Sequence, residues 1–538
     1  MGIAAVLAEN ERLRRELAAR AVTLADQRAA LSQRDAEIAA LKASNEDLAQ
    51  RLELQRLKLA GRRNERYVGD ASLPLPFVIP TPDPPPRLPT AEAADPAEAK
   101  DSAPRPRGKQ VRRKLAGRTD RPVRRVRCAV DPAAACGKCG GTLRVIGVSH
   151  AHRLEWVPGH FEILDVERER CVCPQCPSEG VLAAPPPAFA LPRALCGNGL
   201  LARVLVDKFA DRIPLHLQAE RMKREGEEFS TATLSDWVLG GANFLKHIAD
   251  AIDRRLLDGP WLQADDTGFP VQDGTDGKLR KGRLWAVTDQ QEVRFHFTDT
   301  KEGENPARFL ADFKGKLLLV DGGSEFNLAV AQKGLLRAGC WSHLRRYFFD
   351  ARHHHPAEAR LALGTFRDLF AIEAGLHGAP LELIREVRQR DARPLVTGLY
   401  DWIDGLRRQV RPSSLLGEAL TYATNGREFF ERFLDHPELP MHNNASELRL
   451  RGPVVGRKQW LFAGSEGGAK AAATLFTLVG SCMLQGIDPW IYVTDVLNRL
   501  GDHPVNRVHE LTPRAWRLAQ ERATATSPHS HVGGDSGR

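Results

Sequence analysis

Between Trp261 and Gly323 the chain changes from helical to strand-like periodicity, and this stretch constrains the fold more than any other. WLQADDTGFPV, GRLWAVTDQ and EVRFHFTDT read as three strands separated by turn residues. A helical PARFLADF follows, and then KLLLVDGG, whose apolar run Leu317 to Val320 reads as a buried strand. The predicted order is therefore β-β-β-α-β. Its acids are Asp265 and Asp266 inside the first strand and Asp321 directly after the last. A buried strand seldom ends in a carboxylate without a partner, because an unpaired buried charge is costly. Carboxylates on neighbouring strands can share a hard cation such as Mg²⁺, which prefers oxygen ligands and keeps waters that exchange with phosphate. Two such ions can clamp the attacking and leaving oxygens of an in-line phosphoryl displacement.

An RNase H-like core uses this order of elements, and such chemistry calls for a third acid. The best candidate is Glu447 in MHNNASELRLRGPVVGRKQWLFAGS. Its distance from Asn444 also fits a capping box, so spacing alone leaves catalysis and helix capping open. Arg449, Arg451, Arg457 and Lys458 follow, suited to a DNA backbone but also ordinary on a solvated helix face. The 126 positions from Asp321 to Glu447 exceed what one connection needs, and LALGTFRDLFAIEAGL and LLGEALTYATNGREFFERFL predict a helical insertion there. Cys340 and His343 form a C-x-x-H spacing that either packs against the core or organises the site and its DNA. His353, His354 and His355, before Pro356, fit an exposed helix end better than a metal cluster.

Upstream, Leu17, Leu24, Leu31, Ile38, Leu52 and Leu59 recur every seven residues, with Asn45 in the same series. This heptad seam predicts a coiled coil that dimerises the chain; a single amphipathic helix packed on its own protein is the alternative. Eleven prolines between Pro74 and Pro106 predict an extended linker. It merges into residues 105–127, where eleven Lys or Arg face the single acid Asp120, so this stretch outweighs the whole chain's net charge of +9. Arg112, Arg113, Lys114, Arg124 and Arg125 belong to it, either as a solvated linker or as a strap on nucleic-acid phosphates. Cys136, Cys139, Cys173 and Cys176 make two C-x-x-C knuckles whose four thiolates satisfy one closed, structural tetrahedral Zn²⁺; a redox pair is the alternative. Cys171 is a substitute ligand, and Cys128, Cys196, Cys340 and Cys482 read as free thiols. Residues 199–252 read as helical, with Val204, Phe209, Ile213, Leu217, Met222 and Leu234 inward and Ser230 or Thr231 as a cap. They form a helix-turn-helix or a supporting bundle. The apolar segment Leu475 to Val493 is broken by Gly480, Gln485, Asp488 and Pro489, so no membrane span is expected. The charged N-terminal stretch lacks a signal-peptide core, which points to the cytoplasm and the nucleoid.

The ordered series of GRRNER after the leucine helix, the paired C-x-x-C region, DKFADRIPLHLQ, ADDTG, VDGGSEFN, GCWSHLRRYF, NNASELRLRGPVVGRKQWLFAGSEGGAKAAA and IDPWIYVTDVL resembles the bacterial insertion-sequence 66 transposases. The resemblance runs from the leucine helix to about Leu500. It implies a DDE transposase with an RNase H-like core, in which Asp265, Asp321 and Glu447 hold two catalytic Mg²⁺ ions. Implied partners are terminal inverted repeats, target DNA, a second copy of the chain and co-encoded accessory proteins. The chain departs from the family pattern at Asp266, Gly323 and His442. Other expectations for such a chain are a copy that binds DNA without chemistry and a nuclease without strand transfer. The expected architecture is multidomain α+β. It comprises a coiled-coil helix (1–66), a Pro-rich then basic linker (67–127), a zinc-binding domain (128–190) and a helical region (191–258). The catalytic core (259–350 and 439–500) is split by the helical insertion (351–438), and a C-terminal tail (501–538) follows.

Overall fold

The computed structural model describes residues 3–59, 159–166, 170–172, 181–183, 187–272 and 278–526. The four knuckle cysteines, Cys128, the Pro-rich segment and the basic strap with Arg112, Arg113, Lys114, Arg124 and Arg125 lie outside the described residues. Helix α1 (Ile3–Leu59) is a single helix of 57 residues. Its seam residues Leu17, Leu24, Leu31, Ile38 and Leu52 are exposed by 50–66%. A short antiparallel pair, β1 (Arg170–Val172) and β2 (Val181–Ala183), comes next. Helices α2 (Asn198–Phe209), α3 (Leu215–Arg224) and α4 (Thr231–Leu257) then form a bundle. Ser230 Oγ accepts from the Thr233 backbone N–H at 3.0 Å and starts α4, while Thr231 is already inside the helix. Val204, Phe209, Met222 and Leu234 are buried; Leu217 is exposed, because α3 turns that face outward.

Five strands follow in a mixed sheet of order β5-β4-β3-β6-β7. Strands β3 (Trp261–Gln272), β4 (Leu279–Thr288) and β5 (Val293–Thr298) pair antiparallel in sequence order. Helix α5 (Glu304–Phe309) crosses to β6 (Leu317–Val320), which pairs parallel with β3 and is buried at all four residues. Helix α6 (Asn327–Lys333) and β7 (Leu336–Gly339) add one further parallel strand.

Helix α7 (Trp341–Ala351) leads into α8 (Pro356–Gly375), α9 (Leu381–Val387), α10 (Arg393–Arg407), α11 (Leu415–Asn425) and α12 (Arg427–Asp435). They share a core containing Trp341, Phe348, Phe366, Tyr400, Leu420 and Phe430. The three histidines fall in the turn between α7 and α8, where His354 Nε2 reaches Glu53 of α1 at 3.4 Å. The end of α1 also lies on this helical layer: Arg51 pairs with Glu418, and Asp47 with Arg411 at 3.0 Å. One π-turn joins α9 to α10, and in it Arg388 is buried. It grips Glu373 with two bonds of 2.8 and 2.7 Å and donates to the carbonyls of Phe433, His436 and Leu439.

Helix α13 (Asn444–Trp460) returns the chain to β3, and α14 (Glu466–Leu484) packs against β5 and α4. The outer N–H groups of edge strand β5 are met by hydroxyls of α14: Phe295 donates to Thr477 Oγ1 at 2.9 Å and Val293 to Ser481 Oγ at 3.1 Å. Among the described residues α14 alone is long and apolar enough to cross a bilayer, and it is mostly buried inside the fold. Helix α15 (Pro489–Arg499) and α16 (Pro513–Thr526) complete the described chain. Residues 501–526, expected in the C-terminal tail, are instead tied to the body. Tyr492 donates to the Leu511 carbonyl at 2.6 Å and Trp516 Nε1 to Asp495 at 2.8 Å.

Candidate active site

Successive residues of a strand face opposite sides of its sheet, so β3 sends Asp265 and Asp266 in opposite directions. Gln263 pairs with Leu319 on β6, and Leu319 with Ala338 on β7. Two residues further along each strand, Asp265, Asp321 and Cys340 therefore stand in one row, where β6 and β7 end and the following turns begin. The structure thus brings the first two candidate acids together by parallel register alone.

Glu447 reaches the row from α13. The start of that helix is fastened to the sheet by Asn443, whose Nδ2 donates to the Ala264 carbonyl at 2.9 Å and whose backbone N–H donates to Cys340 Sγ at 3.2 Å. Gln263 Nε2 adds a bond of 3.0 Å to the His442 carbonyl. Glu447 follows one turn later. No side chain caps α13, and Glu447 Oε1 is buried without a hydrogen-bond partner, so the capping role left open by spacing is not taken. Asn443 and Gln263 were not among the expected site residues. The paired Asn443-Asn444 before Glu447 is the one sequence signal for the first, and nothing in the local pattern signals the second.

The electrostatics separate the two adjacent aspartates. Burial pushes the Asp265 carboxyl from 3.8 up to about 8, and the negative charges of Asp321, Glu447 and Asp266 push in the same direction, against a bond from the Asp266 N–H. Asp266 is raised by burial but held down by cations: it pairs with Arg283, and Lys301 lies 3.5 Å from it and 3.2 Å from Glu325. Asp265 thus shares its surroundings with the other two acids, whereas Asp266 belongs to a separate salt-bridge network. Burial also raises Glu447, opposed by His343 and Arg346.

Asp265 carries the charge effects of both Asp321 and Glu447, and one Glu447 carboxylate oxygen is buried without a hydrogen-bond partner; such a setting suits a divalent cation that prefers oxygen. Among the described residues, the set of metal-ligating side chains whose ligand atoms lie within 4.8 Å of one another is Cys340, His343 and Glu447, with His343 Nδ1 3.7 Å from Glu447 Oε1. Burial pushes the Cys340 thiol up to about 12, which keeps it protonated and makes it a poor ligand for Mg²⁺. Its observed contact is structural, as the acceptor for Asn443.

The cations of α13 divide between surface and interior. Arg451 and Lys458 are exposed, while Arg449 and Arg457 are partly buried. Burial lowers the Arg449 guanidinium, and Arg457 lies over Gly268 of β3 beside Arg283. Arg451 and Arg346 are close enough to act on Glu447, so the exposed charges border the acids. A side chain at Gly323 would collide with the Glu325 carboxylate, and His442 is packed on Phe370 with ring centroids 5.8 Å apart.

Comparison with known proteins identifies the family. Residues 193–471 match the Transposase IS66 family, and residues 477–514 match the IS66 C-terminal element. Three relatives from Sinorhizobium fredii, named as uncharacterized proteins, are similar over most of their length. Protein y4hP is 33% identical over 74% of this chain and 76% of its own. Protein y4qI is 31% identical over 73% and 75%, and y4jD is 27% identical over 77% and 84%. With more than half its length matched and relatives above 30% identity, the chain belongs to the IS66 family of transposases.

Proposed function

We propose that the chain is a DDE transposase with an RNase H-like core, which cuts DNA at the ends of its insertion sequence and joins the freed ends to target DNA. The observation that supports this reading is that β3 and β6 run in register up to Asp265 and Asp321, and that Asp265 carries the charge effects of both Asp321 and Glu447. Asp265, rather than Asp266, is assigned to the metal, because Asp266 is already neutralised by Arg283 and Lys301. When bound, two Mg²⁺ ions would supply the Lewis acidity that activates water and later the 3′-hydroxyl for in-line attack. The chain's own residues do the rest. Asp265 gives up its proton before it can ligate, Asn443 fixes the approach of Glu447, and Arg451 and Lys458 offer charge to the DNA backbone.

The remaining assignments rest on sequence. Cys136, Cys139, Cys173 and Cys176 hold a structural Zn²⁺, and the adjoining basic strap helps to bind the terminal inverted repeats. The exposed seam of α1 pairs two protomers, one for each end of the element.

A labelled DNA carrying the element's end tests the chemistry. Cleavage and strand joining should require Mg²⁺, and Glu447→Gln should reduce both about 1,000-fold or more, as expected when transition-state charge stabilisation is lost. Undiminished activity in that variant would remove Glu447 from the triad. Release of a 3′-hydroxyl end without joining would identify a nuclease instead.

A further inference from the structure

Asp321 also borders a cavity of about 630 Å³. Its walls come from the sheet rim and from the helical insertion. Asp321, Gly322, Arg337 and Gly339 form one side, and Tyr347, Glu418, Thr421, Tyr422, Asn425 and Phe429 contribute to the other. The rings of Tyr347 and Tyr422 are stacked, with centroids 4.4 Å apart and planes at 23°, and Tyr347 is 39% exposed. Tyr422 presses directly on the backbone after Asp321: a Cβ at Gly322 would lie 2.6 Å from its ring. The aromatic wall is therefore fixed to the same turn that carries the second acid.

The lining selects among ligands. A phosphate is disfavoured, because Asp321 and Glu418 are both in the wall and the single nearby guanidinium is committed. Arg337 donates to the Asp321 and Gly323 carbonyls and to Asn327 Oδ1. What remains open is neutral and planar in character: the tyrosine rings, the Thr421 hydroxyl and the exposed Asn425 amide. Aromatic faces with a few neutral hydrogen-bonding groups suit a nucleobase, which has a π-face and a polar edge. The volume lies within the range of pockets that take small planar ligands, ~300–1,000 Å³.

We propose that this cavity receives one nucleobase unstacked from the DNA duplex next to the phosphodiester held at Asp321, with the Tyr347–Tyr422 stack as its platform and Asn425 at its polar edge. The proposal rests on the transposase reading and assigns a role to the insertion: it supplies the wall that holds the displaced base. Swinging that base out would bend the strand at the cleavage point and expose the phosphodiester to the three acids.

The test uses full-length protein and duplex DNA carrying the element's end, with 2-aminopurine moved one position at a time across the cleavage point. Ca²⁺ replaces Mg²⁺ so that the DNA stays whole. One position should change its fluorescence on binding, and the change should weaken about tenfold in Tyr347→Leu, as expected for loss of one stacking platform. Asn425→Trp, at an exposed site on the cavity rim, should abolish the change by filling the space. If no position responds, or if both variants respond as the wild type does, the proposal is overturned. Cleavage with Mg²⁺ is measured in parallel. Cleavage without a responding position removes the base pocket and leaves the transposase reading. A responding position without cleavage keeps the pocket and removes the chemistry, and failure to bind the end DNA overturns both.

Discussion

Asp265 and Asp266 are neighbours in sequence but occupy different electrostatic worlds, and this difference has a measurable consequence. The folded protein holds the Asp265 proton more tightly than an unfolded chain does, since its pKa rises from 3.8 to about 8. Its contribution to stability is therefore present in acid and lost as pH rises through about 8. In EDTA, Asp265→Asn should be more stable than the wild type by about 1–3 kcal/mol at pH 8, with the gap closing toward pH 4. Added Mg²⁺ should close it at pH 8 as well, by stabilising the wild type alone. Denaturant unfolding at several pH values measures both effects. A gap independent of pH would show that Asp265 is not the proton-holding member of the cluster. Asp266→Asn should show a smaller gap than Asp265→Asn, because Arg283 and Lys301 offset part of the burial that raises the Asp266 carboxyl.

At the scale of elements, one buried cation braces the insertion where its last helix gives way to the segment that enters the active site. Arg388 ties Glu373 of α8 to the carbonyls of Phe433, His436 and Leu439, immediately before the segment that delivers Asn443 and Glu447. Arg388→Ala should cost about 3–5 kcal/mol in urea unfolding, because it strands Glu373 and three carbonyls in the interior. A loss below about 0.5 kcal/mol would mean that the insertion is anchored elsewhere. Nothing in RQRDA announces this residue, since its role depends on a π-turn and on partners 45 to 51 positions away. The strands, by contrast, are legible: turn residues bound the strand-like runs of β3, β4 and β5, and the unbroken apolar run marks β6. Asp265 and Asp321 could be named because each occupies a strand position where an acid is out of place. Their common level could not, because parallel register is set between segments more than fifty residues apart. Glu447 remained ambiguous for a related reason, since N-cap spacing is a local signal and the tether from Asn443 to Ala264 is not. Order in residues 501–526 rests on contacts such as Trp516 on Tyr492, which local composition does not signal.

For the whole molecule, the questions are how many copies act together and how they hold DNA. The leucine seam of α1 stays exposed although the end of that helix lies on the insertion through Arg51 and Asp47. The contact with the chain's own body runs through Arg51 and Asp47, so the proposed pairing through the heptad residues can be tested without disturbing it. Leu24→Asp with Leu31→Asp should convert a dimer to a monomer in sedimentation while leaving Arg51 and Asp47 in place; an unchanged mass would remove α1 as the dimer element. DNA affinity can be assigned in the same way. The charge of the chain is concentrated at residues 105–127, so phosphate contact there should dominate the dependence on salt. Each phosphate neutralised on duplex DNA contributes about 0.9 to the slope of log affinity against log salt. Replacing Arg112, Arg113, Lys114, Arg124 and Arg125 with Gln should therefore flatten the slope by roughly 4 if all five contact phosphates. Neutralising Arg451 and Lys458 should flatten it by roughly 2 at most, and the Arg451 change should also slow cleavage because that charge acts on Glu447. Fluorescence anisotropy from 50 to 300 mM salt, with variants compared as monomers, separates the two surfaces. A strap variant with unchanged slope would return residues 105–127 to the role of a linker and leave α13 as the main phosphate-binding surface.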